Sequence, residues 1–213
     1  MIEVTLKEDN AAFKSKVYGA ISKYINSLLF RKRAAILRDI RAIVPKWIRS
    51  QPEMQELMFN NGVGSLAAQL GLVYGTGEEA VEAIVVAMTN SIAIDITKVD
   101  AKSLRGGVKL KFMPATFQEL LLIPEGHVIT DEGQDLHWLS WLLMEGFKVI
   151  VVGYKFNFKR AGRSQGGYMN KGGVWRIPPQ YAGTPNDNFV TRALNNPSNE
   201  EEIADIFKRH IKS

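Results

Sequence analysis

The chain has no cysteine among its 213 residues, which removes disulfides, thiolate metal sites and cysteine nucleophiles together. That is compatible with assembly in a reducing cytoplasm. Long apolar runs are missing as well. Ala83 to Met88 and Val149 to Val152 are strand- or core-sized, against the roughly 20 residues a bilayer-spanning helix needs, so no membrane partner is expected. The opening MIEVTLKEDN places acids where a signal peptide has its apolar stretch, and secretion by that route is not expected. There is no internal repeat, no low-complexity segment and no serine nucleophile elbow.

What is present suffices for a core. A hydrophobic content of 46% over this length points to one globular domain, residues 1–213. Net charge is +5, but it is segmented. Residues 1–50 carry 11 Lys and Arg against 4 acids, net +7, and residues 51–100 carry 1 against 7, net −6. Opposed blocks of this kind pair within a subunit or between copies, and complementary potentials set register and partner choice.

Apolar periodicity supplies the elements. With Asp9 or Asn10 as cap, Phe13, Val17, Ile21, Ile25 and Leu28 predict a helical stripe that continues through Ile36, Ile40, Val44 and Trp47, with Pro45 a point of kinking or restart. A short helix from Pro52 stops at Asn60-Asn61-Gly62. After a glycine-broken stretch, a helix from about Ala80 gives way to a strand at Ile92, Ile94 and Ile96, and Val108, Leu110 and Phe112 alternate as a second strand. Thr116 is a candidate cap for a helix over 117–122, and Asp135 is expected to open an apolar helix through Trp138 and Trp141. Residues 147–159 read as the central strand, paired with 173–178 through a glycine-rich loop. Ser198 or Asn199 is expected to cap a last helix, acidic at its start and basic at its end. The fold class is α+β. Long N-terminal helices (1–60) pack on a small, mainly antiparallel sheet in a core spanning 78–194, followed by a C-terminal helix at 198–213.

Between Gly162 and Leu194 lies GRSQGGYMNKGGVWRIPPQYAGTPNDNFVTRAL. Five glycines with Arg163, Ser164 and Lys171 form a loop too polar to fold by itself. It is followed by Val174-Trp175-Arg176-Ile177, a Pro178-Pro179 brace, and an amphipathic segment with Phe189, Val190, Ala193 and Leu194. Arg-Ser, paired glycines, Lys-Gly-Gly, Trp-Arg-Ile-Pro-Pro, Tyr-Ala-Gly-Thr and Asn-Phe-x-Thr-Arg-Ala-Leu in this order resemble the C-terminal part of neck or tail-completion proteins of tailed bacteriophages. The resemblance covers the last third of the chain. It implies a virion structural protein rather than an enzyme, a homo-oligomeric ring joining the DNA-filled head to the tail. The implied partners are further neck, connector and tail proteins, with assembly in the host cytoplasm. On that reading Arg163, Ser164, Gly166, Gly167, Tyr168, Met169 and Lys171 are an inter-subunit docking arm that orders on assembly. Trp175, Arg176, Phe189 and Arg192 are its base, the two arginines needing partners because each sits in an apolar run.

The basic residues Arg31, Lys32, Arg33, Arg38 and Arg41 are candidates for contact with channel DNA, or with the acidic block of a neighbouring copy. No helix-turn-helix pattern accompanies them. His127, Asp131, Glu132, Asp135 and His137 are the densest group of potential ligands. The two histidines lack the i, i+4 spacing of a zinc helix, so loop acids and a helix cap are expected there. The glycine loop lacks the Gly-Lys-Ser/Thr ending of a nucleotide loop. Asp95 with Lys98 supports the alternative of a metal-dependent nuclease, which needs a second acid nearby. Neither a catalytic centre, a bound metal nor a cofactor is expected.

Overall fold

Eight helices and three antiparallel strand pairs make up the described part of the chain, residues 10–112, 117–130, 133–146 and 148–212 of a computed structural model. Asp9, Pro114, Thr116, Asp131 and Glu132, to which the sequence assigns caps, a strand end and loop acids, lie outside it.

Helix α1 (Asn10–Arg49) is 40 residues long, about 60 Å at the usual rise. It runs on through Pro45 without being restarted. Its C-terminal half is the wall of the core, burying Ile36, Ile40, Val44, Trp47 and Ile48. Against it pack α4 (Gly77–Ser91), α8 (Pro197–Lys212) and α7 (Phe189–Leu194). Helix α2 (Pro52–Phe59) stops at Asn60 as its sequence signals, and Ser65 caps α3 (Leu66–Gln69), its hydroxyl accepting from the Ala68 amide at 3.3 Å. The α1 stripe is not continuous. On an ideal helix Phe13, Val17, Ile21, Ile25 and Leu28 occupy an arc of about 120°, with Tyr24 inside it, centred roughly 130° away from the residues that face the core. Only Leu28 of that N-terminal stripe is buried, while Phe13 is 54% and Tyr24 62% exposed.

The class is α+β, but the strands do not merge into one sheet. Strand β1 (Ala93–Thr97) pairs with β2 (Gly107–Lys111), β3 (Val128–Ile129) with β4 (Asp135–Leu136), and β5 (Val151–Asn157) with β6 (Tyr168–Trp175), each pair standing alone. Residues 151–157 are therefore one side of a two-stranded ribbon rather than a central strand, and Val152 is 76% exposed. Asp135 does not open a helix. The segment extends as β4 and turns helical at α6 (Trp138–Ser140), which continues as a π-helical turn, Trp141–Glu145. The expected cap of α8 also moves: Asn196 Oδ1 accepts from the Ser198 amide at 3.0 Å and its carbonyl from the Glu200 amide, because Pro197 is a good first helical residue. Short α5 (Gln118–Leu121) precedes β3.

The segment after the proline pair ties these parts together. Asn188 caps α7 with a full capping box, its Oδ1 accepting from the amides of Val190 and Thr191. Its amide nitrogen donates to Leu143 O at 3.1 Å and Thr184 O at 2.8 Å. One turn on, Arg192 pairs with Asp187 and with Glu53, a fully buried carboxylate on α2. Trp175 and Trp141 meet edge to face at 5.6 Å.

Helix α8 is held by Trp47 Nε1 donating to Glu202 and by His210 Nε2 against Asp39 at 2.8 Å. The His210 hydrogen bond, with Arg38 beside it, holds the Asp39 carboxyl below its ordinary 3.8. A depressed carboxyl stabilises the fold above its unfolded value and loses that contribution as pH falls through the folded one. Protection factors for amide hydrogen exchange in α8 should therefore fall below about pH 4, and Asp39→Asn should make that fall smaller. Arg192→Met strands the Glu53 charge and should cost about 3 kcal/mol in urea denaturation. The double variant with Glu53→Met should recover most of it.

Candidate functional site

The glycine-rich stretch is not a free arm. Gly166 O accepts from the Gly64 amide at 2.7 Å, Arg163 O from the Tyr74 amide at 3.2 Å, and Arg163 Nη1 donates to Ile129 O at 2.8 Å. Ser164 is buried, its hydroxyl donating to Gly167 O at 3.1 Å and accepting from the Gly166 amide at 3.2 Å. The loop is thus ordered by its own chain, because neighbouring segments satisfy its backbone groups. Glycine is required sterically. A Cβ on Gly166 would lie 2.6 Å from both Ala68 Cβ and Gly62 O, and one on Gly167 would enter the Phe156 ring.

Of the seven residues assigned to the arm, Ser164, Gly166 and Gly167 are buried, which corrects their assignment as a mobile tip. Tyr168 and Met169 are half-buried members of β6, opposite Asn157 and Phe156. Arg163 and Lys171 are exposed, Arg163 with its head group on Ile129. The base divides too. Trp175 and Phe189 are buried and Arg192 has the partners its setting demands, but Arg176 is exposed, since it points from the outer face of the segment leaving β6.

The basic residues of α1 are likewise partly committed. Arg33 Nη2 donates to Ile94 O at 2.8 Å, and Arg41 Nη2 to Asn90 O and Ile92 O at 3.3 and 3.0 Å. These cover the C-terminal end of α4 and the start of β1, where carbonyls lack helical partners. Arg31 Nε bonds Ser27 O within the helix, and Arg38 pairs with Asp39. Arg33 and Arg41 thus link the first two blocks through backbone carbonyls, and Arg49 with Glu82 at 2.5 Å pairs opposite charges of the two blocks within the chain. Glu78 and Glu79, in the first turn of α4, remain exposed next to Val73 and Tyr74.

Asp95 is exposed on β1 and engaged by Lys111 across the ribbon, which lowers its pKa. It belongs to no group of three possible metal ligands among the described residues. One such group does exist. His127, just before β3, and His137, just after β4, are opposite each other across the hairpin, and Asp135 is two residues before His137 on the same face. His127 Nδ1 is 3.2 Å and His137 Nε2 3.5 Å from Asp135 Oδ2, and the imidazole centroids are 3.9 Å apart. His127 Nε2 bonds Leu121 O at 2.9 Å. That bond, and Asp135 after it, raise the His127 pKa above 6.5. The signal in the sequence was Asp-x-His in an extended segment, obscured by reading Asp135 as a helix start. Beside His127 opens a cavity of about 250 Å³, walled by Glu79, Glu125 and Arg163.

Gly166→Val should raise hydrogen exchange across 62–74 and 161–168 and cost about 1–3 kcal/mol of stability; a loop free of its own subunit would show neither effect. No family model, no curated protein and no solved structure matches the chain.

Proposed function

We propose that the chain is a structural assembly subunit that joins like copies head to tail into a ring, and that the ring is the neck connecting head and tail of a tailed bacteriophage. The observation that supports assembly is the N-terminal half of α1. Its apolar stripe lies on the side away from the core, and Phe13, Ile21 and Tyr24 are all exposed. The complementary surface is the acidic start of α4, where Glu78 and Glu79 are exposed near Val73 and Tyr74. The charges match: α1 carries ten Lys and Arg against one Asp. A contact between two different surfaces of one chain is heterologous, and rotation that closes makes a ring. Opposed charges fix its register.

The phage-neck reading is supported by the resemblance of 162–194 alone. Arg163, Ser164, Gly166 and Gly167 act in it as a rigid part of the ring wall, not as a docking arm. Lys171, exposed in the middle of β6 opposite Tyr154, remains available to a neighbouring protein. The surviving exposed basic groups, Arg31 and Arg38 among them, face either channel DNA or the neighbour's acids.

Mass photometry of the purified chain should show a single closed oligomer. Glu78→Lys with Glu79→Lys should reduce it to monomers, and adding Lys14→Glu with Lys23→Glu should restore it. A wild-type chain monomeric at all accessible concentrations, or an oligomer indifferent to both charge reversals, overturns the interface. For the phage assignment, antibody against the chain should decorate the head–tail junction of virions in negative stain; decoration of capsid or fibres only would refute it.

A further inference from the structure

We propose that His127, Asp135 and His137 form a site for a divalent transition metal, Zn²⁺ by chemistry, which cross-links the two ends of the β3–β4 hairpin. The proposal is independent of the ring. It rests first on backbone register. Val128 pairs with Leu136 and Ile129 with Asp135, so the next positions outward, 127 and 137, are directly opposed and share a face with 135. Three ligand atoms are thereby gathered within 4.8 Å of one another.

Two of the three ligand-to-ligand spacings are those of a coordination shell. Bonds of 2.0–2.1 Å in a tetrahedral zinc site put neighbouring ligand atoms about 3.3 Å apart. The two contacts to Asp135 Oδ2 are 3.2 and 3.5 Å. A cation on that face would be ligated by all three groups once side-chain rotation brings the two imidazole nitrogens, now within 4.8 Å, to the same spacing.

Leu121 O lies 2.9 Å from His127 Nε2, so Nε2 is the donor side of the ring and Nδ1 is the nitrogen turned toward Asp135. A ligating histidine ordinarily has its other nitrogen tied to a carbonyl or carboxylate in this way. A cation between Nδ1 and Asp135 takes the place of the proton that otherwise links them. Two imidazoles and one carboxylate suit zinc and its neighbours; Mg²⁺ and Ca²⁺ prefer all-oxygen shells, and Cu(I) prefers sulfur. A water completes the fourth position.

The consequence is mechanical. Ile129, the β3 partner of Asp135, offers its carbonyl to Arg163, and Trp138 Nε1 binds Glu125 O at 2.9 Å on the far side of the hairpin. Metal at the hairpin ends would stiffen the shelf on which the glycine-rich loop rests.

The test uses the full chain without a histidine tag, stripped with EDTA and titrated with Zn²⁺ by calorimetry at pH 7. One equivalent should bind, with Mg²⁺ giving no heat. Co²⁺ in place of zinc should give the intense visible absorption of a four-coordinate ion. His137→Ala and Asp135→Asn should each lose affinity by more than the about 10- to 100-fold that loss of an outer-shell partner costs. Circular dichroism would verify that both variants are folded. Hydrogen exchange at 127–137 should slow on zinc addition in the wild type alone. No stoichiometric binding, or binding that survives either substitution undiminished, overturns the site.

Discussion

A buried carboxylate on one helix and a guanidinium on another, 139 positions later in the chain, set the relation between the two ends of this molecule. Glu53 is wholly inside and Arg192 is partly open to solvent. A lone ionised carboxylate in that place is costly, so α2 and α7 have one arrangement in which the charge is met. The preceding turn adds to it. Asn188 caps α7 with its oxygen and reaches the π-helical turn and Thr184 with its nitrogen, so one side chain satisfies backbone groups in three places. Trp141, whose carbonyl accepts from the Gly183 amide, meets Trp175 edge to face. The stretch that carries the family resemblance is therefore the junction of the fold.

The long first helix does two jobs on two faces. Its second half is core, and Arg33, Arg41 and Arg49 attach α4 and β1 to it through carbonyls and a carboxylate. Its first half presents aromatic and aliphatic side chains on a different side, so no bend of the body toward the core stripe would cover them. An apolar stripe on a basic helix with an acidic, partly apolar surface elsewhere on the same chain is the arrangement from which heterologous contacts are built. That physical pairing, rather than a flexible arm, is the basis of the proposed ring.

Close backbone approach organises the remaining features. Gly166 and Gly167 let the loop lie against 62–68 and the Phe156 ring, where any side chain would collide. The same loop donates from Arg163 to Ile129, the strand residue paired with Asp135. Hairpin register then gathers His127, Asp135 and His137. Loop, hairpin and cavity form one continuous surface feature, although their residues span more than thirty-five positions of sequence.

Periodicity by itself pointed to helices over 10–50, from Pro52 and at 198–213 and to strands around 92–98 and 107–113, because three-and-four spacing and strict alternation each bury one face in only one kind of element; that the first helix runs unbroken through Pro45 and that the last starts at Pro197 are features of the fold. The residues expected as a rigid base, Trp175, Arg176, Phe189 and Arg192, did not all behave alike, since bulky apolar residues are buried but an arginine beside an apolar run is paired only where a partner lies within reach. Which partner Arg192 takes, that Arg176 faces water, and that the strands stay in separate pairs are decided by contacts between distant segments, which local pattern does not encode. Glycines signal freedom in a sequence, but in the folded chain the same lack of a side chain permitted close packing of the loop. The alternation that places Asp135 and His137 on one face was present in the sequence, yet only pairing with β3 brought His127 across from them. Two residues ten positions apart become neighbours through a hairpin and not through a helix, and the tertiary structure alone chooses between the two.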